Sequence, residues 1–306
     1  MLAPLSACVS GTPQLTASGS FDEVSVGVIA IVNIAPLYVG IQQGFFTRHR
    51  IKVNPRVTES NATIVPGVVS GLLHFGFSNI TSLLVARSRN LPVKIIAAGN
   101  YSTGMAGNDF GAVVVPAASP IKGPRDLAGH TVAVNSLNNI GDTTVRASVR
   151  KAGGDATSIR FTEIAFPDAP AALKAGQVDA AWVVEPFLSI ARAQGNRVVA
   201  WNMVDTDPNL MVAAFFATDQ LAAQSPDLVA RFRTAVNESL TYAQQNPRQA
   251  RTALQAYMKI DPTLITQLTL PRWSPEINRP AIERLANLVQ SDGLITTAPD
   301  LAALLP

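Results

Sequence analysis

The chain has 306 residues, 47% of them apolar and only 15% charged, a composition that suits one large or two modest packed domains and excludes a disordered or fibrous chain. Its 24 basic residues exceed its 21 acidic ones by three, and with so few titrating groups that small surplus is enough to lift the pI to about 9.2. There is no lysine or arginine run of the kind that follows a phosphate backbone, which argues against nucleic acid as a partner.

First in chain order comes the sole cysteine, Cys8. One cysteine allows no internal disulfide. It closes Leu5-Ser6-Ala7-Cys8, which resembles a bacterial lipobox, where signal peptidase cuts before the cysteine and the thiol is lipidated. A small, polar stretch follows as a tether, while the usual basic and most of the apolar parts of a signal peptide are missing. Residues 1–20 are therefore expected to be a leader remnant and tether, lipidated at Cys8 and held at the outer face of the cell membrane or in the periplasm. The most apolar internal stretch, residues 24–40, is interrupted by Ser25, Asn33 and Pro36. It is too broken for a spanning helix, which needs ~20 apolar residues.

Short apolar runs then alternate with amphipathic segments over the first two-thirds of the chain, the pattern of an α/β protein. Strands are predicted over residues 23–30, 51–57, 74–78, 93–99, 112–115, 131–134, 178–184, 197–201 and 212–218. Helix ends mark the segments between them. Pro36 opens a helix carrying Leu37, Ile41 and Phe45 on one face, Ser78 precedes another, and Pro186 takes a first helical position with Gly195 at the exit. After Ser225 only helices are predicted. The first carries Leu228, Val229, Phe232, Val236 and Leu240 on one stripe, and others start from Pro247, Pro262 and Pro280. This tail is expected to pack against a sheet already built.

A weak internal echo links "SGLLHFGFSN" (70–79) with "AGQVDAAWVV" (175–184): a glycine at a helix exit, a polar residue three later, then a strand. Two similar α/β lobes would produce it, as would chance in a repeated α/β chain. No Pro/Gly/Ser-rich boundary appears after residue 20, so the strands near 111–116 and 210–218 are the candidates for crossing between lobes. The expected organisation is residues 21–112 plus 214–306 as a discontinuous first lobe and 113–213 as the second.

Five segments, "APLYVGIQQGFF", "GLLHFGFSNITSLLVARSRNLPVKIIAAG", "IKGPRDLAGHTVAVNS", "ALKAGQVDAAWVVEPF" and "FFATDQLAAQSPDLVARF", resemble in order and spacing the nitrate/sulfonate/taurine/thiamine-pyrimidine group of ABC-transporter solute-binding proteins. The resemblance runs from about Val24 to Asn246 and is looser over the C-terminal helices. It implies a two-lobed periplasmic-binding-protein-like α/β fold with a ligand cleft, hinge closure, a monomeric carrier and delivery to a membrane permease, without covalent chemistry. His74 departs from the acidic residue the family often carries before that strand; it reads best as a polar group satisfying backbone at a strand entrance.

In open α/β sheets ligands sit outside the carboxyl ends of the strands. That rule places residues 33–38, 77–81, 100–110, 135–143 and 182–187 at the cleft. From them the ligand-binding candidates are Asn33, Tyr38, Ser78, Asn79, Asn100, Tyr101, Ser136, Asn138, Asn139, Trp182 and Glu185. Asn33, Ser78 and Asn79 could equally cap helices, because a helix N-terminus offers the same unpaired N–H groups to a cap or to a ligand. The loop "NSLNNIGDTT" (135–144) presents donors, with Gly141 allowing close backbone approach and Asp142 balancing the helix dipole. Glu185 can cap the following helix, face a ligand, or do both. The five segments hold Asp109, Asp142 and Glu185 but no Arg or Lys, together with several aromatics. That census points to a neutral or amine-bearing organic ligand, such as a stacked heterocycle, ahead of nitrate or a sulfonate. Arg87 or Arg146 reaching in would weaken it.

An enzyme is the main alternative, since the scaffold is similar to that of certain desulfinases and of a thiamine-pyrimidine synthase. Such a desulfinase needs a cleft cysteine, and Cys8 lies in the leader. H-E-x-x-H, G-x-S-x-G and P-loop motifs are all missing. No catalytic residue, cofactor or metal is therefore expected. A ligand-sensing module that signals through a separate partner is the second alternative.

Overall fold

The computed structural model describes residues 17–18, 21–58 and 61–306; Cys8 and its lipobox lie outside them. Eleven strands form among the described residues: β1 (Ala17–Ser18), β2 (Phe21–Ile29), β3 (Ile51–Thr58), β4 (Phe75–Asn79), β5 (Val93–Tyr101), β6 (Gly111–Pro116), β7 (Thr131–Val134), β8 (Arg160–Glu163), β9 (Ala180–Val184), β10 (Asn196–Ala200) and β11 (Met211–Thr218). They build two sheets. The first runs β1-β2-β4-β11-β5 with β3 also paired to β2, and the second runs β10-β6-β9-β7-β8.

The two sheets share one plan. Each holds three parallel strands, β3-β2-β4 in the first and β8-β7-β9 in the second. Beside them lies one antiparallel strand, β11 or β6, and then a strand antiparallel to that one, β5 or β10. β4 and β9 occupy equivalent places, and they are the strands of the internal sequence echo. The glycines that precede them, Gly71 and Gly176, both have positive φ, 81° and 68°, the left-handed helix exit that glycine takes at least cost.

The chain passes from the first lobe to the second through residues 102–110 and returns through 201–210. The strands expected to cross do not: β6 pairs only with β9 and β10, and β11 only with β4 and β5. Each is instead the first strand laid down after a crossing. It starts at the end of the sheet facing the other lobe, where the parallel strands finish, and so it must run antiparallel to them. β8 went unpredicted because "RFTE" is a short edge strand with both end residues exposed, leaving no apolar alternation to read.

Sequence-predicted helices form with local shifts. The helix expected from Pro36 through Phe45 is split: Ala35–Gln42 ends, Gly44 follows at φ 72°, and Phe45–Arg48 starts afresh. Asn79, not Ser78, caps Ile80–Ser88 by accepting from the Ser82 N–H at 2.9 Å. Pro186 is the cap position of Phe187–Ala193 instead of its first residue. In the tail, Pro226–Gln245 buries Leu228, Phe232, Val236 and Leu240, with Val229 half-buried at the edge. The Phe232 ring stacks on Phe75 of β4 at 3.8 Å with an interplanar angle of 2°, and Phe215 of β11 meets it edge-on. Burying such a ring stabilises by roughly 1.5–3 kcal/mol, so this face fixes the tail on the first sheet. Farther on, Arg279–Ser291 packs against Ile80–Ser88 of the first lobe and against Ile140–Lys151 of the second. There Asp292 pairs with Arg150 across the lobes. Among the described residues no helix is long and apolar enough to cross a membrane.

Candidate functional site

Between the sheets lies a cavity at the carboxyl ends of the parallel strands, where open α/β sheets bind ligands. The first lobe contributes Ile29 at the end of β2, the following Ile31 and Asn33, residues 77–79 of β4, and Val212 and Ala213 at the start of β11. The second contributes Asn135 just past β7, Ile140, Phe166, and Trp182 and Val184 of β9. The cavity is small: the space open to the centres of water-sized molecules is about 40 Å³. One water needs ~10–15 Å³ on that measure, so this space has room for a few waters.

None of the lining side chains carries a charge; the polar groups are those of Asn33, Ser78, Asn79, Asn135 and Trp182. Two of these residues are buried and hold a polar atom with no protein partner: the Asn33 Oδ1 and the Trp182 Nε1. Leaving each unsatisfied costs about 1–3 kcal/mol, a cost that a ligand bridging them would remove. Asn33 Nδ2 donates to Asn100 Oδ1 at 3.1 Å, and Asn100 Nδ2 in turn lacks a partner. Turning both amides over keeps their bond and offers the cavity an N–H in place of the carbonyl.

Neighbours hold both residues in place. The Asn33 carbonyl accepts from Trp273 Nε1 at 3.2 Å, and the Ile31 carbonyl accepts from the Tyr257 hydroxyl at 3.0 Å. Between them the Val32 N–H donates to the Glu185 carbonyl of the second lobe at 3.3 Å. Trp182 packs edge-to-face with Phe166 at 5.4 Å between centroids, and it also lies against Gly141. A Cβ on Gly141 would stand 2.5 Å from Trp182 Cε3. The close approach expected of this glycine is made by the indole.

Four of the sequence candidates line the cavity: Asn33, Ser78, Asn79 and Trp182. The others stand elsewhere. Tyr38 stacks on Tyr257 at 4.1 Å, and burial pushes its hydroxyl pKa up to about 12. Asn100 sits behind Asn33 and reaches the cavity only through it. Tyr101 lies beneath the Arg272 guanidinium at 4.4 Å with its hydroxyl bonded to the Glu276 carbonyl. Ser136 is buried off the cavity wall, and Asn138 is exposed at φ 55°. Asn139 caps Ile140–Lys151, accepting from the Gly141 N–H at 2.8 Å, while Asp142 accepts from the N–H groups of Asn138 and Asn139, both at 2.8 Å. The loop's donors and acceptors are thus largely used in building the helix start. Burial pushes the Asp142 pKa up to about 6 against these bonds.

Glu185 is 2% exposed and does not line the cavity. Its carboxylate accepts from the Ser189 N–H at 3.0 Å, the Ser189 hydroxyl at 2.7 Å and, from the C-terminal region, the Thr269 N–H at 3.3 Å. Burial raises its pKa. It is therefore a helix-start and interlobe group. Arg87 is engaged with Asp219 and the Val93 carbonyl, and Arg146 with the Ala156 carbonyl; neither belongs to the lining. His74 has its Nδ1 2.9 Å from the Ser25 hydroxyl and accepts the Ser25 N–H at 3.1 Å, so it satisfies backbone at the strand entrance as expected.

Sequence reasoning missed Phe166, Asn135 and the apolar wall of Ile29, Ile31, Val212 and Ala213. Asn135 was in a segment placed at the cleft, and the rule that ligands meet strand ends could have singled it out. Phe166 follows the unpredicted β8, and nothing local marks it.

Comparison with known proteins adds four findings. The family described as NMT1/THI5 like matches residues 31–250. The formylaminopyrimidine-binding protein of Halalkalibacterium halodurans is 22% identical over 223 residues, 71% of this chain and 64% of that protein; the match thus spans just under two thirds of this relative's length. Among solved structures, the alkanesulfonate-binding protein SsuA from Xanthomonas axonopodis pv. citri, bound to MOPS, aligns with a TM-score of 0.79 at 16% identity over 95% of this chain and 99% of that one. The desulfurization enzyme DSZB aligns at 0.67 and 16% identity, over 92% and 95%. At such identities these structures establish a shared two-lobed fold, which a binding protein and an enzyme both use.

Proposed function

The chain belongs to the NMT1/THI5-like family, and from that premise we propose that it is an extracytoplasmic solute-binding protein that captures a small neutral organic molecule between its lobes and hands it to the permease of an ABC importer. The lining carries this reading: five hydrogen-bonding side chains and no charged one. A sulfonate or nitrate shielded from water calls for a guanidinium, an ammonium or several free N–H groups. At the nearest helix starts one first-turn N–H is already taken by the cap, Asn79 or Asn139, which weakens each as an anion site. An amine would call for a carboxylate, and Glu185 and Asp142 are engaged in helix starts away from the lining. The sequence expectation of a neutral or amine-bearing ligand thus narrows to a neutral one.

The cleft holds and releases its ligand unchanged in this proposal. Its lining has hydrogen-bonding groups to orient a molecule but no thiol, imidazole or carboxyl to attack it or move its protons. The protein works as a monomer tethered through Cys8, a proposal that rests on the lipobox and is tested by metabolic palmitate labelling of the wild type and Cys8→Ser. The central test is mass spectrometry of small molecules released from gently purified protein, followed by thermal shift against neutral heterocycles, amines, taurine, methanesulfonate and nitrate. A ligand at a hundred times its Kd stabilises by about 2.7 kcal/mol, worth several degrees. A neutral molecule among the released compounds, reproduced by a shift, supports the proposal; preferential binding of a sulfonate or nitrate overturns it.

A further inference from the structure

The inner cavity does not end at Phe166. An outer chamber shares Ile29, Ile31 and Phe166 with it and continues between Val57 and Thr58 at the end of β3 and residues 165–168 and Phe187 of the second lobe. On the measure that gives the inner cavity about 40 Å³, this chamber has about 370 Å³. Only the second figure falls within the roughly 300–1,000 Å³ of ordinary ligand pockets. The two compartments also differ in chemistry. The inner one is lined by Trp182 and Asn33, each of which has a buried polar atom without a protein partner. The outer one is mainly apolar, with Asp168 its one ionisable residue and Val57 51% exposed on its wall. Phe166 stands between them, edge-on to Trp182 on one side and stacked on Phe187 at 6.0 Å on the other.

We propose that the ligand is bipartite: a compact uncharged head bridges Trp182 Nε1 and the Asn33 amide in the inner cavity, and an apolar body passes Phe166 into the outer chamber. The proposal rests on the ligand-capture reading above and specifies the class of molecule. The head must bring an acceptor for the indole N–H and an amide-like partner for Asn33, the pattern of a primary amide or a lactam. A head alone fills a space of a few waters and leaves the larger chamber wet, so affinity must come largely from the body. Apolar area removed from water supplies it.

The experiment titrates the whole chain, purified free of small molecules, with acetamide, benzamide, 4-butylbenzamide and 4-butylbenzenesulfonate by isothermal calorimetry. Affinity should rise at least tenfold from benzamide to 4-butylbenzamide, with acetamide weakest and the sulfonate weaker than the amide of the same body. Trp182→Phe, which keeps a ring but removes the N–H, should weaken 4-butylbenzamide by about 10–100-fold. Val57→Asp, at an exposed position that tolerates a charge, should weaken 4-butylbenzamide while leaving benzamide within about twofold. A flat amide series that still outbinds the sulfonate overturns the bipartite ligand and leaves the neutral-ligand reading standing. Tighter binding of the sulfonate overturns both, and so does binding of none of the four at millimolar concentration where the chain releases only an anion. No binding at that concentration alongside a released neutral molecule that lacks an apolar body overturns the bipartite ligand alone, as does an unchanged Kd in Trp182→Phe.

Discussion

Replacing Gly141 by alanine should damage the site from beneath Trp182. The new Cβ would lie 2.5 Å from Trp182 Cε3, 2.9 Å from Cζ3 and 3.1 Å from a methyl of Val134, all closer than van der Waals contact. Two effects oppose each other. Alanine favours the helix Ile140–Lys151 by up to ~1 kcal/mol over glycine, and less so close to its N-terminus. Overpacking a rigid, buried ring costs about 1–3 kcal/mol, and the Phe166 ring packed against the indole restrains its retreat. The clash should win, leaving a net loss of roughly 1–2 kcal/mol and a fall in Tm of about 1.5–3 °C. Trp182 lines the cavity, so a displaced indole should weaken ligand binding as well as stability. Thermal denaturation followed by circular dichroism, together with tryptophan fluorescence, reads both effects. Trp182→Phe removes the two clashing atoms, so the double variant should regain the stability that Gly141→Ala alone loses. A Gly141→Ala protein as stable as the wild type with unchanged fluorescence would refute the reasoning, as would a double variant showing simple additivity.

Three further outcomes are expected. Asp142 has its pKa raised by burial to about 6 from 3.8, so the folded state holds its proton more tightly than the unfolded one. Its contribution is most favourable below pH ~4 and is lost as pH rises toward ~6, by at most about 3 kcal/mol; urea unfolding at pH 4 and pH 7 should show a steeper decline for the wild type than for Asp142→Asn. Glu185→Gln leaves a side-chain N–H group facing donors on Ser189 and Thr269, and should lower stability by about 1–3 kcal/mol while changing ligand affinity by less than about threefold in the same titrations. Arg150→Ala leaves the Asp292 carboxylate, 2% exposed, without its partner across the lobes. It should destabilise by about 1–3 kcal/mol, discounted because Arg150 is itself 37% exposed, and small-angle scattering of the ligand-free protein should shift toward a more open shape.

The elements, their order and the family resemblance were legible in the chain because strands and helices write short-range periodicities and glycine or proline ends into sequence. Pro226–Gln245 shows its buried stripe at helical spacing, and β7 appears with the predicted bounds. Even the duplicated plan of the lobes left a trace in the resemblance of the segments around β4 and β9. The site was legible only at the level of which loops approach the cleft. Asn33, Asn79, Glu185 and Asn139 are alike in sequence, each a polar residue at a strand end before a helix. Tertiary packing divided them: Asn139 and Glu185 serve helix starts, Asn79 caps a helix while lining the cavity, and Asn33 lines the cavity held by Asn100 and Trp273. Tyr38 and Tyr101 were drawn away by partners more than a hundred and fifty positions later in the chain, Tyr257 and Arg272. A side chain's local pattern fixes which element carries it and which face it takes. Whether its polar atoms meet a cap, a partner or the cavity depends on groups brought together across hundreds of residues, and no local periodicity records that.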